Sequence, residues 1–464
     1  MFPYRGRGGR HLFPNPARLS KRRPGEETLY IIPRIWLDPQ QVNRVTPVRA
    51  MRVLLITNYF PPHYQGGAEV MVYNTCHGLL QRGVDASILM INARIPGGQD
   101  RYRDVQGVPV HEVTYRSHLP GNPFLQTFDP RIYRDVMAEI RRVQPDLVHV
   151  HNVSGATLAP FVACRRVNVP VLLTLHDHWL LCPNNMLYKG DGALCDPAEH
   201  PRGCSHCFRR QDFWANIPWR RQIFARLVQN VRFFISPSQK LVDLHVAAGY
   251  NPARFRVVPN GIKPALFQTP SDSLVREYVR ESGLFRTLLL AGAMVESKGI
   301  KTVIEALPLL ARYVDRFRLL VAGRGEDRFL AALRRFDPSV VKLLGQVPFQ
   351  EMRALYAATD LTVIPSVWYE NSPMVIYESM LAGTPVLGSA IGGIPELIQH
   401  GETGYLFSPG DAVALTERVI QHFARSAPER RAMRRRCVEF AHTHMTLDRY
   451  LDRLQQVYDE ALEA

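Results

Sequence analysis

Residues 364–398 read IPSVWYENSPMVIYESMLAGTPVLGSAIGGIPELI, and the fold turns on how this stretch is parsed. Leu361–Pro365 is a short apolar run of the kind buried in a parallel sheet. Ser372 then suits an N-cap, with Pro373 at the first position of a helix. Gly383 and Pro385 stop that helix, Val386–Ser389 forms the next strand, and Gly392-Gly393 turns the chain before Pro395 opens another helix. The pattern is strand, loop, helix, twice over. It predicts two helix N-termini, each after a strand's carboxyl end, whose free N–H groups and positive dipole ends suit a diphosphate. Glu370 stands in the first loop and Glu378 eight positions on, inside the helix. Each carboxylate can accept hydrogen bonds in pairs, from vicinal hydroxyls of a sugar or of a ribose. These residue types point to a site for a nucleotide sugar.

Outward from this stretch the alternation continues. Strands are expected before it at Thr287–Ala291, Phe317–Ala322 and Val340–Leu344. An earlier series is expected at Val53–Thr57, Ala86–Ile91, Val108–Thr114, Leu147–His151, Val171–Leu175 and Phe233–Ser236, with helical stretches between several of them. Strands and helices in turn argue for doubly wound, mostly parallel sheets. After Val53–Thr57 comes a loop, then Gly66-Gly67-Ala68-Glu69 and a helix reaching Arg82-Gly83; glycines at such a turn let backbone approach a ligand closely.

The motif Glu370-x7-Glu378, with Asn371, Ser372, Pro373 and Met374 between and Gly392-Gly393-Ile394-Pro395-Glu396 after, resembles the donor site of the family-4 retaining glycosyltransferases of GT-B fold. The resemblance runs from about Met51 to the C-terminus. It implies two Rossmann-like doubly wound domains facing a central cleft, joined near Pro259-Asn260-Gly261-Ile262. It also implies that the last, amphipathic helix, Leu447–Leu462, crosses back onto the N-terminal domain. The expected division is a basic extension at 1–50, an acceptor domain at 51–262, a donor domain at 263–437 and the returning helix at 438–464.

The resemblance also assigns roles. Gly66 and Gly67 would lie beside the donor phosphates and the acceptor, and backbone near Val347 would meet the nucleotide base, leaving UDP and GDP sugars hard to separate. Asn371, Ser372, Pro373, Met374 and Glu378 would line the donor, and Glu370 would hold the sugar. Lys298, just past a strand end, can neutralise charge on the leaving diphosphate. The family often has arginine where this chain has Ala293, so Lys298 has fewer helpers; Arg324 reads as a solvated loop residue. His176 ends the strand Val171–Leu175 and matches the family's cleft histidine, with a contact to the donor sugar or acceptor hydroxyl expected. His149 and His151 read as bystanders.

The chain has 464 residues, 46% hydrophobic and 21% charged, enough for two cores. Residues 1–50 hold ten Lys and Arg against three Asp and Glu and show no periodicity, so they read as disordered. Either an over-long start or a basic arm touching an anionic membrane explains them. The net charge of +15 fits nucleotide diphosphates or anionic headgroups, and nothing resembles a nucleic-acid-binding motif. No apolar run reaches about 18 residues and no secretory pattern opens the chain, which places it in the cytoplasm, peripheral at the inner face of the membrane. Cys182, Cys195, Cys204 and Cys207, four of seven cysteines, could close a structural zinc site stapling the insertion 182–207; free thiols are the alternative.

The expectation is a retaining, metal-independent hexosyltransferase moving a sugar from a nucleotide diphosphate to a saccharide or lipid-linked saccharide. The rivals are another GT-B enzyme, such as a nucleotide-sugar epimerase, and a non-catalytic sugar-nucleotide or membrane-surface binder.

Overall fold

The computed structural model describes residues 50–61, 66–92, 100–115, 127–151, 153–200, 204, 207, 210–267 and 285–463. The expected basic extension, but for Ala50, lies outside the described residues. By internal contacts the chain divides into two units. The first takes residues up to 185, 199–234 and 457 onward; the second takes 186–198 and 235–456.

The first sheet contains β1 (Arg52–Thr57), β2 (Asp85–Asn92), β3 (Arg101–Val105), β4 (Val108–Thr114), β5 (Leu147–Val150), β6 (Val171–Thr174), β7 (Val231–Ser236) and β8 (Phe255–Val257). Their order is β3-β4-β2-β1-β5-β6-β7-β8. β1 runs parallel to both β2 and β5, β2 to β4, and β5 to β6; β3 pairs antiparallel with β4. Val53, Leu54, Leu55 and Ile56 are all fully buried, which is why β1 is a continuous apolar run rather than an alternating one. β3 was not expected. Its sequence RYRDV carries no apolar period, because it is an edge strand with largely exposed side chains.

The second sheet contains β9 (Arg286–Ala291), β10 (Phe317–Ala322), β11 (Val341–Gly345), β12 (Leu361–Ile364), β13 (Val386–Ser389) and β14 (Gly404–Phe407), in the order β11-β10-β9-β12-β13-β14. All five pairings are parallel. The chain winds outward from β9 to β11, then returns to start again at β12 on the other side of β9. That is the Rossmann order, and it opens a crevice where the winding reverses, between the carboxyl ends of β9 and β12. β14 was missed because it is short and begins with glycine. Gly404 is needed there: a Cβ would lie 2.0 Å from the Val386 carbonyl oxygen on β13.

Two local readings need correction. The helix after β12 spans Met374–Leu381 with Pro373 itself at the N-cap and no side-chain cap. The Ser372 hydroxyl instead meets the Tyr377 hydroxyl at 2.7 Å. The helix expected at Pro395 is a single turn, Ile394–Leu397, too short to carry a strong dipole. The last helix spans Leu447–Glu463, and the unit boundary at residue 457 falls within it.

Candidate functional site

The second unit builds its site from the two loops that flank the winding reversal. After β9, residues 296–298 form one tight turn and Gly299, in the left-handed region at φ 75°, sends the chain into the helix Ile300–Tyr313. A Cβ on Gly299 would stand 1.7 Å from the Pro365 carbonyl oxygen, so only glycine lets this loop press against the end of β12. The Val367 N–H donates to the Ser297 carbonyl at 2.9 Å and locks the two loops together.

This packing brings Lys298 and Glu370 into contact. Lys298 Nζ lies 2.6 Å from Glu370 Oε1, which also accepts from the Ser366 hydroxyl at 2.7 Å and the Trp368 indole Nε1–H at 2.9 Å. Lys298 Nζ stands 5.0 Å from the centre of the Trp368 ring, within cation–π range. Among the described residues all three donors fall on Oε1, leaving Oε2 to accept from a ligand. Burial opposes the charge on Glu370, but the Lys298 ammonium and the three hydrogen bonds outweigh it and hold the carboxyl below its usual range. An ammonium has three donors, so Lys298 keeps two while paired.

The Gly392-Gly393 turn fixes the backbone of the same loop. A Cβ on Gly392 (φ 60°) would lie 2.3 Å from the Glu370 carbonyl oxygen, one on Gly393 would lie 2.0 Å from that of Asn371, and the Gly393 N–H donates to the Glu370 carbonyl at 2.7 Å. Glu396, at the end of the same motif, is spent on a neighbouring helix. Its two oxygens accept from the backbone N–H groups of Gln239 and Lys240, at 2.7 and 2.8 Å, and so cap the helix Gln239–Ala247. Asn371, Ser372, Pro373 and Met374 are half-buried, and Asn260 Nδ2 donates to the Ser372 carbonyl at 3.3 Å.

Glu378, within the helix Met374–Leu381, accepts on Oε2 from the hydroxyl of Tyr356 at 2.7 Å. Burial raises Glu378 to about 7, with the Tyr356 bond pulling the other way. Tyr356 is itself buried in a cluster with Leu289, Leu320 and Leu355, against which Val347 packs. The expected base-contacting residue and the partner of the expected ribose carboxylate therefore belong to one apolar cluster. Arg324 is exposed, as expected.

In the first unit, Gly66 precedes the helix Gly67–Gln81 in extended conformation (φ −174°), and its N–H donates to Glu69 Oε2 at 2.8 Å. A Cβ on Gly66 would touch nothing, so packing does not require glycine there. The Gly66 amide is therefore engaged by its own helix's Glu69. His176 follows β6, and its Nε2 lies 3.1 Å from Nδ1 of His151, which follows β5. His149 joins the same buried file: Nδ1 meets the Tyr458 hydroxyl and Nε2 the Thr174 hydroxyl, both at 2.7 Å. Burial pushes His176 down to about 4 and His149 to about 3, and drives His151 well below the ordinary histidine range. His149 and His151 were read as bystanders. His151 instead touches the histidine that the sequence singled out.

Cys182, Cys195, Cys204 and Cys207 form no disulfide, and among the described residues no three His, Cys, Asp or Glu side chains are grouped to hold a metal. Cys195 sits in the segment counted with the second unit, whereas Cys182, Cys204 and Cys207 belong to the first. His206, inside the closest pair, lies outside the described residues.

Several contributors were not legible from spacing. Ser366 and Trp368 lie four and two residues before Glu370, but an irregular loop has no fixed period from which to infer that both turn to it. Tyr356 is 22 residues from Glu378 and meets it only through tertiary packing. Among the described residues no helix is long and apolar enough to cross a membrane.

Comparison with known proteins agrees with this architecture. Residues 65–266 match the family Glycosyltransferase Family 4, and residues 285–425 match Glycosyl transferases group 1. A D-inositol 3-phosphate glycosyltransferase of Pseudarthrobacter chlorophenolicus is 28% identical over 392 residues, covering 76% of this chain and 83% of that protein. The putative teichuronic acid biosynthesis glycosyltransferase TuaC of Bacillus subtilis is 25% identical over 395 residues, covering 80% and 89%. Among solved structures, HepE of Anabaena in complex with UDP superposes with a TM-score of 0.64 at 19% identity, over 88% of this chain and 100% of that one. With a Family 4 domain followed by a group 1 domain, on two parallel-sheet α/β units of GT-B fold, the chain belongs to the family-4 glycosyltransferases.

Proposed function

We propose that the protein transfers a sugar, with retention and without a catalytic metal, from a nucleoside diphosphate sugar to a hydroxyl of a saccharide or lipid-linked saccharide. The observation that carries this reading is the meeting of Lys298 and Glu370 at the winding reversal of the second sheet, with Oε2 of Glu370 open. Lys298 supplies positive charge where the leaving diphosphate develops negative charge. Glu370 Oε2 accepts from a sugar hydroxyl and orients the anomeric carbon. Glu378 accepts from the ribose, and backbone near Val347 meets the base. In the transfer, the bond from the anomeric carbon to the diphosphate oxygen breaks and the acceptor oxygen bonds to that carbon on the same face. The acceptor proton leaves with the departing phosphate oxygen. His176 donates to an oxygen of the sugar or the acceptor.

The complexes of HepE with UDP and with UDP-glucose support a nucleotide-sugar donor, and the name of TuaC supports a cell-envelope polysaccharide acceptor. A cytoplasmic place at an anionic membrane surface belongs to the same proposal and rests on the net charge of +15.

The test is a panel of nucleotide sugars, with and without EDTA, on the intact chain and on two variants. Glu370→Ala should lower turnover with nucleotide affinity nearly kept, whereas Glu378→Ala should weaken nucleotide binding. A lost hydrogen bond to a carboxylate costs about 1.5–3 kcal/mol in each case. Both variants matching the parent in turnover and affinity would remove the reading, and full loss of transfer in EDTA would remove metal independence.

A further inference from the structure

One ammonium has two partners on the function proposed above. Lys298 Nζ stands 2.6 Å from Glu370 Oε1, and the same group is to face the leaving diphosphate. A diphosphate carries more than one negative charge, so its arrival weakens the hold of the ammonium on the carboxylate. Lys298 is the member able to move, since its side chain is 37% exposed against 8% for Glu370. A buried carboxylate that loses a cationic partner is pushed toward its neutral form and is freed to turn. Something other than Lys298 has to keep Glu370 charged and aimed in the loaded site.

Two neutral donors remain on Oε1, the Ser366 hydroxyl at 2.7 Å and the Trp368 indole N–H at 2.9 Å. They differ in what they can do. A hydroxyl rotates and can also accept, whereas an indole N–H only donates and points where its ring points. The backbone is pinned on both sides of that ring. Ser389 Oγ donates to the Ser366 carbonyl at 2.6 Å, the Val367 N–H to the Ser297 carbonyl at 2.9 Å, and the Gly393 N–H to the Glu370 carbonyl at 2.7 Å. Trp368 also meets the cation. Lys298 Nζ lies 5.0 Å from the ring centre, so a π face attracts the ammonium alongside the carboxylate. One side chain thus holds both halves of the pair, the acid by its N–H and the base by its ring.

We propose that Trp368 is a positioning residue of the donor site, which keeps Glu370 aimed at the sugar through its N–H while its ring face retains Lys298 as the ammonium turns to the diphosphate. With the N–H on Oε1, Oε2 stays the oxygen offered to a sugar hydroxyl, whether Lys298 rests on the carboxylate or on phosphate. The contacts of Trp368 stand on the geometry of the second unit alone. Their consequence for transfer rests on the roles proposed above for Lys298 and Glu370.

The experiment uses the full chain, with UDP for binding and UDP-glucose, or whichever donor of the panel is turned over, for kcat. Trp368→Phe keeps a ring face and removes the N–H; Trp368→Leu removes both. Trp368→Phe should lower kcat about tenfold with UDP affinity unchanged, since UDP carries no sugar for Glu370 to hold. Trp368→Leu should lose kcat likewise and bind UDP about threefold more weakly. In a Glu370→Ala background Trp368→Phe should cost nothing further, which separates holding Glu370 from packing the loop. Parent kcat in Trp368→Phe, equal UDP affinity in the two variants, or a full second loss on top of Glu370→Ala would overturn the proposal. Should Trp368→Leu fail to fold, Trp368→Phe and the double variant still decide. A second arm reads the contact without turnover, in protein labelled with 15N-tryptophan. The indole N–H signal that Trp368→Phe removes should lie downfield, stay there on saturation with UDP, and move upfield in Glu370→Ala. An upfield move of that signal when UDP binds the parent would show the N–H released and would also overturn it. Should no donor be turned over at all, the proposed function fails, while the indole signal still tells whether Trp368 holds Glu370.

Discussion

The two units place functional side chains at the same topological position, the carboxyl ends of neighbouring parallel strands, and give them opposite electrostatic character. In the second unit, the loops after β9 and β12 bring together Lys298 and Glu370, and the carboxyl is held below its usual range, so the pair is ionic. In the first, residues following β5 and β6 bring together His151 and His176, and burial keeps both rings neutral. A leaving diphosphate carries charge and needs a charged partner. On the proposed function, a sugar or acceptor hydroxyl needs only direction, which a neutral ring can supply without the cost of burying an ion. Similar strand ends therefore carry pairs of opposite electrostatic character, and burial with hydrogen bonding sets which one is charged.

The largest effect should come from breaking the ionic side. Lys298→Ala removes the positive charge and leaves Glu370 buried with only Ser366 and Trp368 as donors. Turnover should fall by about 100-fold or more, and UDP should bind more weakly. The Glu370 carboxyl should titrate higher as well, because its largest favourable neighbour is gone. Unchanged kcat and UDP affinity would show that the pair is only structural.

A pH series sharpens the contrast. Glu378 sits at about 7, so below that pH it is protonated and loses acceptor capacity for the ribose hydroxyls. UDP affinity should fall with acidity, to about tenfold weaker at pH 6 than at pH 8. Tyr356→Phe removes the one bond that favours the carboxylate, so the fall should move to higher pH, while Glu378→Gln should flatten it. His176 and His149 should not titrate in this window, since burial holds them near 4 and near 3. Isothermal titration with UDP across the range reads all of this, and a flat profile in the parent would remove Glu378 from the nucleotide site.

The smallest effect concerns the cysteines. With no disulfide among Cys182, Cys195, Cys204 and Cys207 and no grouped metal ligands among the described residues, the purified protein should hold less than about a tenth of an equivalent of zinc. Cys182, Cys195 and Cys207, half-buried, should alkylate without denaturant ahead of the buried Cys204. Stoichiometric zinc by elemental analysis would establish the staple instead.

Most of the fold was legible in the chain because its parallel strands are buried on both faces. Val53–Thr57, Phe317–Ala322 and Val386–Ser389 announce themselves as apolar runs between turn residues. Lys298, Glu370 and Glu378 were legible for a related reason: they stand at fixed short distances from those strands and from the turns that end them. The edge strand Arg101–Val105 was not legible, since exposure frees it from any hydrophobic period. Ser372 was misread as a cap because its hydroxyl had a better partner in Tyr377, which only the folded turn brings near.

By itself, the sequence determined the order of strands and helices, the two-unit plan, and which carboxylates and lysine stand at strand ends. All of these follow from local periodicity and turn chemistry, which act over a few residues. Tertiary structure alone decided the protonation and direction of those groups. Tyr356 comes from 22 residues away to grip Glu378, Tyr458 from 309 residues away to grip His149, and backbone from Gly392-Gly393 to clamp Glu370. A side chain's charge state depends on what surrounds it in space, and spacing along the chain carries no record of that.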